Sequence, residues 1–161
     1  MNMKLYRQSF LKYWIILFSV FIANNALLAQ SSDNASLICN AGWKRTAWTV
    51  TPAMQYNPYW PVASDLFQYE KECKKDDYYV FSSNGTYQLL NGINKCADGE
   101  SDLISSGKWA FLITDNRILN MVRNGGSFQK QIELSNEKMV WITYQVKNGV
   151  KYTFRETFIP L

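Results

Sequence analysis

The stretch CKKDDYYVFSSNGTYQLLNGINKC, Cys73 to Cys96, has two runs rich in aromatic and aliphatic residues on either side of Asn84-Gly85, with a cysteine at each end. Asn-Gly between such runs is a hairpin signal. A three-residue loop over Ser83–Gly85 sets Phe81 opposite Tyr87 and Tyr79 opposite Leu89, so apolar faces apolar. The cysteines then lie nearly equidistant from the turn, at the open end of the hairpin, where cross-strand neighbours fall within disulfide reach. Closing that loop stabilises the fold by roughly 3 kcal/mol through lost chain entropy. The expected pair is therefore Cys73–Cys96. Cys39 is left over, as a free thiol, an intermolecular bridge or a buried small apolar residue, the last being preferred.

Working outward, the same pattern recurs. Strands are expected at 42–51, 78–83, 86–91, 104–112, 117–123, 128–134, 139–146 and 150–158, mostly joined by short connections with Gly, Asn or Asp. The exception is 52–76, with Pro52, Pro58 and Pro61, whose later part can form a short helix begun at Ser64 or Asp65. At Lys147-Asn148-Gly149 a three-residue bulged loop pairs Val146 with Val150, Tyr144 with Tyr152 and Ile142 with Phe154, again apolar against apolar. A two-residue loop would instead set Tyr144 opposite Thr153. Antiparallel strands in chain order, each apolar on one face, form either a sandwich or an up-and-down barrel. Eight is the number that closes around side chains or one small ligand.

The N-terminus reads differently. Lys4, Arg7 and Lys12 precede the uncharged apolar run Trp14–Ala23, which is too short for a membrane span but suits a signal-peptide core. Cleavage after Ala29 makes residues 1–29 a signal peptide, 30–37 a polar leader and 38–161 one β-domain. No lipid anchor is expected, because Cys39 lies far beyond the apolar run. Of the 161 residues, 132 remain after removal of the first 29. Three of the 17 basic residues and none of the 13 acidic ones are removed, so 14 basic face 13 acidic. That near-neutral balance gives no electrostatic case for nucleic acid or an anionic membrane, and no integral span remains after signal removal. The expected location is periplasmic or secreted, an oxidising setting in which the cysteine pair is a disulfide.

The motif Cys73, Asp76, Asp77 and Phe81, followed by Asn84-Gly85-Thr86-Tyr87, Gly92, Cys96 and Ser105-Ser106-Gly107-Lys108-Trp109, resembles the lipocalin-like domains common in exported bacterial proteins. The resemblance is specific across about 73–109. It implies an all-β, eight-stranded antiparallel up-and-down barrel with a long first loop and a ligand-sized interior. Lipocalins carry Gly-x-Trp in the first strand, where the Trp plugs the closed end. Here Ala41-Gly42-Trp43 stands in that place, with Ala41 for the Gly and Trp43 as the plug. The Arg that packs across that Trp corresponds to Arg155, which strand alternation points outward.

The chain has no histidine, so Ser-His-Asp and Cys-His nucleophiles and histidine zinc sites are excluded. Adjacent Asp76 and Asp77 point to opposite faces of a strand and cannot form an acid–base pair. Asp98–Asp102 has alternating acids but lacks the glycine and closing Glu of a calcium loop. No enzyme activity, metal or cofactor is therefore expected. Lys130 and Glu156 are the oddities, because each sits on an otherwise apolar strand face and needs a partner, water or a ligand. The apolar register places Lys130 near Tyr144 and Tyr152 toward the mouth, and Glu156 toward the closed end. The expected ligand set is Lys130, Tyr144, Tyr152 and Tyr79, with Trp60 and Phe67 from the aromatic first loop as a lid. The expected ligand is a small apolar or amphipathic molecule. The alternative is a protein partner held by that aromatic loop.

Overall fold

The computed structural model describes residues 34–112 and 114–161. The expected signal peptide and residues 30–33 of the leader lie outside the described residues. Residues 34–39 are helical (α1). Nine strands follow: β1 (Gly42–Met54), β2 (Ala63–Asp65), β3 (Tyr78–Phe81), β4 (Thr86–Leu90), β5 (Leu103–Leu112), β6 (Asp115–Arg123), β7 (Gly126–Leu134), β8 (Met139–Lys147) and β9 (Val150–Pro160). Between β2 and β3 lie a 3-10 turn over Phe67–Tyr69 and a single helical turn, α2 (Glu72–Lys75). Every expected strand is present. The helix expected near Ser64 or Asp65 is that 3-10 turn, whose first N–H, from Phe67, bonds the Asp65 carboxylate at 3.0 Å.

Each strand from β3 to β9 pairs antiparallel with the next, and β1 pairs with both β3 and β9. That last pairing closes an eight-stranded antiparallel barrel, with β2 a short addition to the far end of β1. Closure gives every wall strand a neighbour on both sides, with the β7–β8 ladder confined to Gln131–Leu134 and Met139–Ile142 and the β1–β3 ladder to Gly42–Lys44 and Tyr78–Val80. The turns 82–85 and 135–138, together with α1, gather at one end. The β1–β3 connection, the 91–102 loop and the turns at 124–125 and 148–149 mark the other.

The 84–85 hairpin has the expected register, with Phe81 opposite Tyr87 and Tyr79 opposite Leu89. Asn84 Oδ1 accepts from the Thr86 N–H at 3.0 Å and from its hydroxyl at 2.6 Å. β5 holds the loop from outside, because the Trp109 N–H donates to Gly85 O at 2.8 Å and its indole to Ser82 O at 3.1 Å.

The 147–149 hairpin corrects the sequence expectation. Lys147 pairs with Val150, Tyr144 with Thr153 and Ile142 with Arg155, so the loop has two residues, not three. Asn148 (φ 53°) and Gly149 (φ 76°) both adopt the left-handed region, as the type I′ turn requires. The same geometry recurs at Asn124 (φ 49°) and Gly125 (φ 77°) between β6 and β7. The turn chemistry overrode the apolar count, and a one-residue slip flips every side chain. The inner face of β8 is thus Met139, Trp141, Thr143 and Gln145, opposite Phe158, Glu156, Phe154 and Tyr152. Tyr144 and Val146 stand on the outer face, 52 % and 69 % exposed.

Two apolar layers fill the interior. At the closed end, Ile38, Trp43, Phe81, Tyr87, Leu119 and Met121 are buried together with Trp141 and Phe158. Burying side chains of this size contributes on the order of 2 kcal/mol each. The Trp43 indole donates to the Ile38 carbonyl at 2.8 Å, so α1 and the first strand seal this end together. Cys39 has no disulfide partner and packs at the edge of this layer, where burial raises its thiol pKa. Arg155 lies outside, bonded to Glu133 at 2.9 Å, as alternation requires. The second layer, Val50, Met54, Leu66 and Phe154, occupies the mouth.

Candidate functional site

Between the two apolar layers lies a polar one, built by an irregularity in β1. Arg45 pairs with Phe158 but Ala47 pairs with Thr157, so Thr46 is an extra residue, a β-bulge. The bulge lets Arg45 and Trp48 both face inward, with the guanidinium 5.2 Å from the Trp48 ring centre. Arg45 Nη1 donates to Glu156 at 2.8 Å, and Nη2 bonds Glu70, which the β1–β3 connection carries into the barrel. Lys130 Nζ donates to the other Glu156 oxygen and to Thr143 Oγ1, each at 3.2 Å, and lies 5.5 Å from the centre of the Trp141 ring. Two cations and two carboxylates thus neutralise one another inside the wall. Burial works against the charge on Arg45, but the Glu156 and Glu70 carboxylates more than offset it and hold the guanidinium more firmly protonated than usual.

Beside this network is a cavity of about 270 Å³, lined among others by Arg45, Glu70, Tyr79, Leu89, Asn91 and Phe158. Its outer wall includes Cys96 and Glu100 of the 91–102 loop and Lys74 of α2. The Cys73–Cys96 disulfide joins these two elements directly. Adjacent Asp76 and Asp77 complete the clamp. Asp77 Oδ1 accepts from the Gly92 N–H at 3.3 Å, and Asp76 Oδ2 from the Asn94 N–H at 2.9 Å. A Cβ on Gly92 would come within 2.2 Å of the Asp76 side chain, so only glycine admits this approach. The two cysteines, two aspartates and glycine are one device, holding the loop against the barrel as a cavity wall. Burial raises the Asp77 carboxyl despite its bond from Gly92. Tyr79 is pushed well above the ordinary tyrosine range by burial and by the neighbouring Glu156 charge.

The six residues expected to bind ligand are placed in five different surroundings. Tyr79 lines the cavity. Phe67 is not part of the lining and packs behind Arg45, its ring centre 6.0 Å from the guanidinium carbon. Trp60 and Tyr152 pack on the mouth layer, where Trp60 meets Trp48, Tyr56 and Tyr69 at ring-centre distances of 6.0, 5.8 and 5.7 Å. The aromatic loop therefore fills the mouth with its own rings. Lys130 faces inward but is spent on Glu156, and Tyr144 is on the outer wall, its hydroxyl 3.4 Å from Gln131 Oε1. The expected separation of Lys130 from Glu156 and its grouping with Tyr144 are both corrected here. Both errors follow from β8 turning Trp141 and Thr143 inward in place of Ile142 and Tyr144, which shifts its registers with β7 and with β9.

Arg45, Glu70 and Asn91 did not figure in the sequence reading. Arg45 carried a legible signal, since it falls two residues after Trp43 on the same strand face as the plug. Glu70 carried none. Asp98–Asp102 is a loop stabilised from within: Glu100 Oε2 accepts from the Cys96 and Ala97 N–H groups, and Lys95 bonds Asp102 at 2.6 Å. No group of three or more metal-capable Cys, Asp or Glu side chains occurs among the described residues.

No family model matches this sequence, and no curated protein matches it. Among solved structures, a bovine odorant binding protein deswapped triple mutant aligns over 78 % of this chain and 74 % of its own, at 17 % identity and a TM-score of 0.39. A complex of bovine odorant binding protein with a selenium-containing odorant aligns over 75 % and 72 %, at 18 % identity and a TM-score of 0.38.

Proposed function

We propose that this is an exported binding protein that takes one small amphipathic molecule into the cavity beside Arg45. The observation that carries the reading is a closed barrel with a cavity of about 270 Å³ whose lining mixes charged residues such as Arg45 and Glu70 with apolar ones such as Leu89 and Phe158. Ligand pockets of a few hundred Å³ with a few placed polar groups are the common form of small-molecule site. Tyr79 belongs to that site. Trp60, Phe67 and Tyr152 shape its surroundings, and Lys130 supports it by neutralising Glu156. Binding rather than catalysis is the reading because the carboxylates at and beside the cavity are already engaged, Glu70 and Glu156 by cations and Asp77 and Glu100 by backbone N–H groups. Export rests on the basic and apolar N-terminal segment, with the disulfide and the absence of a membrane-crossing helix among the described residues compatible with it.

Native mass spectrometry of the protein purified from its own host tests this. The expected result is a mature chain beginning at Gln30 with a small-molecule adduct that is absent from an Ile104→Trp variant, in which the indole fills the cavity. An identical adduct pattern in the folded variant, or none in either protein, would remove the support for the reading.

The second reading, contact with a protein partner, has one observation in its favour. Tyr59 and Ile93, on loops at the mouth end, are 92 % and 97 % exposed. A co-purifying protein lost in Tyr59→Ser/Ile93→Ser would favour it; retention of that protein would count against it.

A further inference from the structure

We infer that the cavity selects a neutral carbonyl compound and rejects anions of the same shape; this rests on the binding reading above. Arg45 and Tyr79, which both line the cavity, each keep a donor without an acceptor. Arg45 uses Nη1 on Glu156 and Nη2 on Glu70, but its Nε–H is buried with no hydrogen-bond partner. Tyr79 lines the same cavity and has its ring held by Trp141 and Phe158 at ring-centre distances of 4.8 and 6.0 Å. Its hydroxyl bonds to none of the described residues. Of the two, only the Arg45 Nε–H is a buried unpaired donor, the Tyr79 hydroxyl being open to the cavity, and a ligand oxygen that accepts from either gains affinity.

Charge decides which oxygen. Arg45 is already flanked by two carboxylates, so it offers a donor but little uncompensated positive charge. The remaining charged groups lining the cavity are Lys74, Asp77 and Glu100. With Glu70 and Arg45 included, three carboxylates face two cations. A ligand carboxylate would enter a site with an excess of its own sign and lose its hydration as it did so. A ketone, ester or lactone oxygen accepts the same hydrogen bonds without that cost. Leu89, Ile104 and Phe158 supply the apolar surface for the rest of the molecule.

The test uses three ligands of nearly one shape: acetophenone (neutral acceptor), ethylbenzene (no acceptor) and benzoate (anion). Each is titrated into the ¹⁵N-labelled protein, and the backbone and Arg45 Nε–H cross-peaks are followed. The expected order of affinity is acetophenone, then ethylbenzene, then benzoate, with the Arg45 Nε–H peak moving only for acetophenone. Tyr79→Phe, which keeps the ring and the fold, is expected to weaken acetophenone roughly five-fold and to leave ethylbenzene unchanged. Arg45→Lys, which keeps the charge but moves the donor, should abolish the preference for acetophenone over ethylbenzene. Benzoate binding as tightly as acetophenone, a preference unaffected by Tyr79→Phe, or failure of all three to bind would overturn the inference. Mass-spectrometric detection of a native ligand does not depend on the ligand's charge. A co-purifying compound together with a preference for benzoate would therefore sink this inference alone.

Discussion

Glu156→Gln tests the internal ion network most directly. Glu156 holds Arg45 at 2.8 Å and Lys130 at 3.2 Å, and its side chain is 15 % exposed. Two cations and two carboxylates balance in the wild type, so the amide leaves one positive charge uncompensated. Arg45 keeps Glu70, whereas Lys130 keeps only Thr143 Oγ1. Breaking a fully buried pair costs 3–5 kcal/mol, and residual solvent contact places this case at about 3 kcal/mol. Lys130→Met alone removes one cation while Glu156 retains Arg45, and should cost about 2 kcal/mol. In the double variant the charges balance again through Arg45 and Glu70. Its expected cost is about 3 kcal/mol, not the sum of about 5, which gives a coupling of about 2 kcal/mol. Urea unfolding followed by tryptophan fluorescence measures all four proteins, because Trp141 reports beside Lys130. Single changes that add to within about 0.5 kcal/mol, or a Glu156→Gln variant as stable as wild type, would refute the network as an energetic unit.

Three further outcomes are expected. Replacing Cys73 and Cys96 by serine removes a link across 23 residues and should cost about 3 kcal/mol, with faster amide exchange across 91–102 than in the barrel strands; unchanged exchange there would refute the wall assignment. Asn148→Gly should be neutral or stabilising because Asn148 has φ 53°, whereas Asn148→Ala should cost about 1 kcal/mol; destabilisation by glycine would favour the three-residue loop instead. Tyr79 keeps its proton in the folded state above pH 10.0, the ordinary tyrosine value, where the unfolded chain releases it. Its contribution to stability is therefore present below about pH 10 and is lost as pH rises beyond, so Tyr79→Phe should flatten the alkaline fall in unfolding free energy.

The features legible along the chain are local in origin. Alternating apolar residues set the positions of eight strands, because side chains on a strand change face at every residue. The cysteine spacing about Asn84-Gly85 picked out the disulfide, and pairing of apolar faces picked out the register of that hairpin. The same reasoning gave the wrong register at Asn148-Gly149, where two residues able to adopt positive φ made the tighter turn available and Trp141 and Met139 took the interior. The composition of the two β8 faces did not reveal this, since both carry apolar residues.

The site itself comes from contacts between distant strands. Lys130 and Glu156 were each conspicuous as charges on apolar faces, but they meet across the intervening strand β8, at a separation of 26 residues. Arg45 reaches Glu156 across 111 residues only because β1 and β9 lie side by side when the barrel closes. The bulge at Thr46 turns Arg45 and Trp48 inward together, and no sequence period specifies where a ladder gains one residue. Strand pattern follows from neighbours along the chain. The cavity depends on which distant strands share a seam, and closure of the barrel alone sets that.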